Sequence, residues 1–165
     1  SCVMMTAQME ISVFFDKGLE DCLEVSWLQD VAKQALIAQC ADPNLEMGLV
    51  IASQKRVRRL NRTYLGRDEP TDVLAFSARE EVEAELPPFV QPPDGVHHLG
   101  EVIISYPQAV KQAGEHRHSV KREVAILIIH GVLHLLGYEH DKPELAHQMR
   151  AREAQILKLV EGGLD

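Results

Sequence analysis

An α+β fold is what this sequence predicts: a small mixed sheet of about four strands packed against one buried central helix, with further helices outside it. Three observations carry that reading. Short runs rich in β-branched and aromatic residues alternate with segments of helical period, and no internal repeat is visible. One segment, from Val120 to Leu136, is apolar almost all round, so as a helix it must be enclosed by other elements. At 165 residues, 45% hydrophobic and 25% charged, the chain has the size and composition of a single globular domain with a proper core.

The elements follow in order. Glu10 to Phe15 reads as a first strand. Ser26 is an N-cap type residue before a helical stripe running from Trp27 to about Cys40, and Asp42-Pro43-Asn44 ends it. Met47 to Ala52 is a second strand. Ser53 then caps a short helix whose buried stripe is Val57, Leu60 and Tyr64. Gly66 to Pro70 is a loop, and Asp72 to Ser77 a third strand. Residues 80–97, acidic and carrying Pro87, Pro88, Pro92 and Pro93, are expected to form a mobile surface loop, with a lid as the functional alternative. Leu99 to Ser105 is a fourth strand. Pro107 starts a helix that ends near Gly114. Ser119 caps the apolar central helix, and Asp141 and Pro143 open a last one that Gly162-Gly163 ends.

Residues 1–9 show neither the basic region nor the apolar run of a signal peptide, and are expected to be disordered or left over from expression. No run approaches 18 apolar residues, which excludes a transmembrane helix. Cys2, Cys22 and Cys40 are odd in number and widely spaced, unlike a disulfide framework or a CxxC site, so a cytoplasmic location is expected.

The net charge of −8 argues against a polyanionic ligand. Its distribution argues the other way. Lys55, Arg56, Arg58, Arg59, Arg62 and Arg67 crowd one stretch with no acid among them. Such a strip either serves a polyanion or is a solvated helix face.

The chemistry concentrates in His130-Gly131-Val132-Leu133-His134-Leu135-Leu136-Gly137-Tyr138-Glu139-His140. His130 and His134, four apart on a helix, share a face and can reach one ion. Gly137 is a helix stop that lets the chain reverse and return His140 to the same point. Three neutral imidazoles with a fourth position open describe a catalytic zinc site, in which bound water falls in pKa to roughly 7. The residue after His130 discriminates between substrates. H-E-x-x-H-x-x-G-x-x-H peptidases of the metzincin type keep the same histidine spacing but place a glutamate there as base; this chain has Gly131. A peptidase would have to use Glu139 or Glu101 instead. Phosphodiester cleavage needs that glutamate less and needs cations on the phosphate more, which arginine supplies with bidentate geometry. His97-His98 and His116-x-His118 offer two nitrogens each and are expected to be surface histidines, as is His147.

Two motifs then carry a resemblance. The histidine segment is similar to H-G-x-L-H-L-x-G-Y-D-H of the YbeY family of rRNA-maturation endoribonucleases. Leu60-Asn61-Arg62-Thr63-Tyr64 and Asp68-Glu69-Pro70-Thr71-Asp72-Val73-Leu74-Ala75-Phe76 resemble its L-N-x-x-Y-R and D-x-P-T-D-V-L-S-F, and Leu99-Gly100-Glu101-Val102-Ile103-Ile104 resembles its L-G-D-I-x-I strand. The resemblance implies an α+β fold, one catalytic zinc held by His130, His134 and His140, and single-strand-specific endoribonuclease activity in 16S rRNA maturation and ribosome quality control. The chain departs from the pattern at Leu65 (arginine in the family), at Glu139 and Glu101 (aspartate) and at Ala75 (serine). With Leu65 in the arginine position, Arg62 and Arg67 become the candidates for the catalytic phosphate contact, with Glu139 beside the metal. Lys55, Arg56, Arg59 and Arg62 are the candidates for binding RNA. The expected partners are rRNA and the small ribosomal subunit. The alternatives are a ribosome assembly factor whose metal is mainly structural, and a metal-dependent hydrolase of peptides or small esters.

Overall fold

Four strands order as β1–β2–β4–β3 in one sheet. β1 (Glu10–Phe15), β2 (Leu45–Ala52) and β4 (His97–Ser105) run parallel, and β3 (Val73–Ser77) runs antiparallel along β4 at the edge. This computed structural model describes residues 9–78 and 97–163. Parallel neighbours cannot be joined by hairpins, and α1 (Val25–Ala38) makes the crossover from β1 to β2. The other helices are α2 (Gln54–Leu65), α3 (Tyr106–His116), α4 (Val120–Leu135) and α5 (Pro143–Val160), which a short 3-10 turn over Glu161–Gly163 follows.

Alternation along the strands divides the core in two. Met47, Leu49 and Ile51 of β2 and Val102 and Ile104 of β4 face a larger core shared with α1 and α4. Val50, Ala52, Leu74, Phe76 and Ile103 face a smaller one, closed by Val57 and Leu60 of α2. α4 packs against β3, β4, α1, α3 and α5. That enclosure is why its sequence carries apolar residues on nearly every side. The expected mixed sheet and central helix are both present, with the sheet covered on both faces.

The boundaries differ from expectation where polar residues blur the pattern. α1 starts at Val25, because the Leu28 amide already bonds to the Glu24 carbonyl; Ser26 lies within the first turn and caps nothing. β4 begins at His97, whose pairing with Leu45 precedes a register shift. Ser53 and Ser119 cap as expected, accepting from the amides of Arg56 and Arg122. Ser105 also caps, accepting from the Gln108 amide, so α3 opens at Tyr106 and continues past Gly114 to a left-handed Arg117. Met9, expected within a disordered leader, is 4% exposed and part of the larger core. Residues 1–8 lie outside the described residues. So does the expected loop 80–97, apart from His97. Cys22 is a free thiol. Among the described residues no helix is long and apolar enough to cross a membrane.

Candidate metal centre

α4 delivers His130 and His134 one turn apart, and the end of the helix delivers the third histidine. Gly137 takes φ 102°, a conformation that L side chains rarely adopt. The Tyr138 amide returns to the Leu133 carbonyl and the Gly137 amide to that of His134, a Schellman closure. The reversal brings His140 back over the helix. Ring centroids stand 4.7 Å apart for His130 and His134, 4.9 Å for His134 and His140, and 5.8 Å for His130 and His140. One nitrogen from each ring lies within 4.8 Å of the other two. The three histidines singled out in the sequence therefore converge.

Their electrostatics favour ligation. Burial, with His130 and His140 alongside, pushes His134 down to about 4 against the hydrogen bond to the Tyr138 backbone. At neutral pH it is the unprotonated imidazole that metals bind. His130 Nδ1 lies 2.6 Å from Glu153 Oε1 on α5, which turns Nε2 inward, 3.2 Å from His134 Nε2. A carboxylate behind a ligand histidine fixes its tautomer and raises its basicity. Three imidazole nitrogens with such support suit a zinc-class ion. Sequence reasoning missed Glu153. It sits 23 residues from its partner on another helix, and no local spacing marks it.

Gly131 has a packing reason. A Cβ there would meet the two methyl groups of Val102 at 2.6 and 2.9 Å, and Val102 is fully buried. A glutamate in the metzincin position would drive α4 off β4. Glu101, another acceptor considered, is 7% exposed and engages His98 Nε2 at 2.8 Å. Glu139 is exposed on the cleft.

That cleft has a volume of about 470 Å³. The histidines form one wall. The other comes from Asn61 and Leu65 at the end of α2, from Arg67 and Glu69 in the following loop, and from Thr71 to Ala75 leading into β3. Two motifs far apart in the chain thus build one site. Asn61, 3% exposed, donates to the Glu69 carbonyl at 3.0 Å, and the Arg67 amide bonds to the Asn61 carbonyl. These bonds hold the loop against the helix, and a left-handed Gly66 (φ 69°) makes the turn. Arg67 is exposed on the cleft and has no ion-pair partner among the described residues. Leu65 lines the cleft and is 52% exposed. Arg62 is exposed on α2 and does not line the cleft. Lys55 and Arg59 are exposed as well. Arg56 is partly buried against Asp16, and Arg58 pairs with Asp68 at 2.9 Å. Part of the basic strip therefore holds the fold. His147 is exposed, as expected.

The family model described as Endoribonuclease YbeY matches residues 18–161. A protein of that name from Dehalococcoides mccartyi is 45% identical over 161 residues, covering 96% of this chain and 94% of that protein. Its namesake in Moorella thermoacetica is 44% identical over 133 residues, 81% of this chain and 84% of that one. The one in Chloroflexus aurantiacus is 38% identical over 151 residues, covering 91% and 94%. A Thermotoga maritima protein solved in solution shares the fold, with a TM-score of 0.54 at 24% identity over 92% of this chain and 89% of that one.

Proposed function

Because this chain belongs to the YbeY endoribonuclease family, we propose that its histidine cleft cuts single-stranded RNA with the help of one zinc ion, and that the substrate is 16S rRNA near its 3′ end. The chain is a hydrolase acting on RNA phosphodiester bonds. In this reading His130, His134 and His140 hold the ion, in a metzincin-like arrangement used on a different substrate. When bound, such an ion makes hydroxide available near neutral pH and polarises a phosphoryl oxygen. Glu153 keeps His130 in the ligating tautomer. Arg67 offers its guanidinium to the scissile phosphate, and Glu139 accepts or returns a proton at the rim. Lys55, Arg59 and Arg62 bind the RNA backbone outside the cleft. Maturation and quality control of the small ribosomal subunit, in the cytoplasm, are the setting that this activity fits.

The observation that carries the reading is the convergence of three imidazoles on a cleft that also exposes Arg67. Metal analysis together with an rRNA cleavage assay tests it. His134→Ala should lose the metal equivalent held by the triplet and lose cleavage with it, and chelator should silence the wild type. Cleavage surviving in metal-free protein would overturn the reading. A folded, ribosome-binding protein that keeps its metal and cuts no RNA would replace it with the assembly-factor role.

A further inference from the structure

We propose that His116, His118 and Glu123 form a second site for a zinc-class divalent cation, separate from the histidine triplet. The site lies at the turn from α3 into α4. Arg117, between the two histidines, takes φ 57°, and the two rings stand 5.5 Å apart by their centroids. Glu123 sits in the first turn of α4 and is 2% exposed. Its Oε2 accepts from Gln112 Nε2 at 2.9 Å, which orients the carboxylate. Its Oε1 then faces both rings, 3.0 Å from His116 Nδ1 and 2.7 Å from His118 Nε2. All three ligand atoms lie within 4.8 Å of one another.

The donor set and the spacing both suit an ion. Two imidazoles and one carboxylate are an established zinc set. Neighbouring ligand atoms in a tetrahedral zinc sphere stand about 3.3 Å apart, given bonds of about 2.0–2.1 Å. Each histidine nitrogen therefore has only a few tenths of an ångström to retreat from the carboxylate oxygen. His116 is 57% exposed on its side chain, which leaves an entry path and room for water ligands. Charge points the same way. Burial pushes the Glu123 carboxyl up, but hydrogen bonds from His116, His118 and Gln112 outweigh it and leave the group below its ordinary value. No lysine or arginine pairs with it among the described residues. Glu123 lies seven residues before His130 on α4, about 10 Å along the helix axis. The two sites are thus separate positions on one helix.

Equilibrium dialysis of the full-length, metal-stripped protein against zinc, with metal analysis, tests the site. Wild type should bind two equivalents per chain. His116→Ala and His118→Ala should each bind one, with circular dichroism confirming the fold. The His130→Ala/His134→Ala double variant should also retain one, and adding His116→Ala should remove it. No zinc bound by the His130→Ala/His134→Ala variant at saturating zinc would overturn the proposal, as would a second wild-type equivalent that survives both His116→Ala and His118→Ala. Either result would make the cluster a hydrogen-bonded lock. The triplet reading fails separately, through the metal content of His134→Ala.

Discussion

Gly131→Ala is the sharpest probe of how the metal centre is held. Adding one methyl group at an exposed helix position would stabilise by about 1 kcal/mol, because alanine gives up less backbone freedom than glycine. Here the new Cβ would sit 2.6 and 2.9 Å from the two methyls of Val102. Ordinary carbon contacts are about 3.5–4.0 Å, so roughly 1 Å must be found between α4 and β4. Val102 is fully buried and β-branched, and cannot swing aside. Overpacking of this kind costs about 1–3 kcal/mol. At the upper end it outweighs the helix gain and leaves a net loss of about 2 kcal/mol, a fall in Tm of about 4–8 °C for a domain of this size. The double-mutant cycle isolates the cause. Val102→Ala alone should cost about 2 kcal/mol for its two methyls. In that background Gly131→Ala no longer clashes and should stabilise by about 1 kcal/mol. The coupling is therefore about 3 kcal/mol, well outside the additive range. Urea denaturation of the four proteins followed by circular dichroism, with chelator present so that metal binding does not enter, measures it. An equal effect of Gly131→Ala in both backgrounds would refute the close approach of α4 to β4.

The other predictions concern chemistry around the cleft. Glu153→Gln should weaken zinc binding about 10–100-fold while leaving the fold intact; unchanged affinity in a chelator competition would remove Glu153 from the support of His130. Arg67→Ala should weaken RNA binding and reduce the slope of log affinity against log salt by about 1, and Leu65→Arg should steepen it by a similar amount. Identical slopes in all three proteins would place the phosphate path elsewhere. His98 has its pKa raised from 6.5 by its hydrogen bond to Glu101, which outweighs burial, with Glu46 adding to it. Its contribution to stability is therefore full below about pH 6.5 and fades as pH rises through the raised folded value. The Tm gap between wild type and His98→Gln should be larger at about pH 6 than at about pH 8.5, and a constant gap would contradict the pairing.

What the sequence discloses and what it hides divide along one physical line. Features made by neighbouring residues are legible. The His130–His134 spacing follows from helix geometry, and Gly137 marks the reversal that returns His140. The alternation in β2 and β4 announces the sheet, and the all-round apolar character of α4 announces its enclosure. Features made by distant residues are silent. Glu153 reaches His130 from α5, and Gln112 orients Glu123 from α3; as letters they are surface-type residues on amphipathic helices. Ser26 misleads for a related reason, since a cap is decided by where the first helical hydrogen bond falls and not by residue type alone. Gly131 belongs to both groups. Its identity shows at once that the peptidase base is missing, which turns the chemistry toward phosphodiesters. Its cause is visible only in space, where Val102 leaves no room for a Cβ. Gly131 follows His130 directly and precedes His134 by three residues on α4, so any shift of the helix away from β4 would carry both histidines with it. The absent glutamate is therefore a packing requirement of this site before it is a catalytic choice.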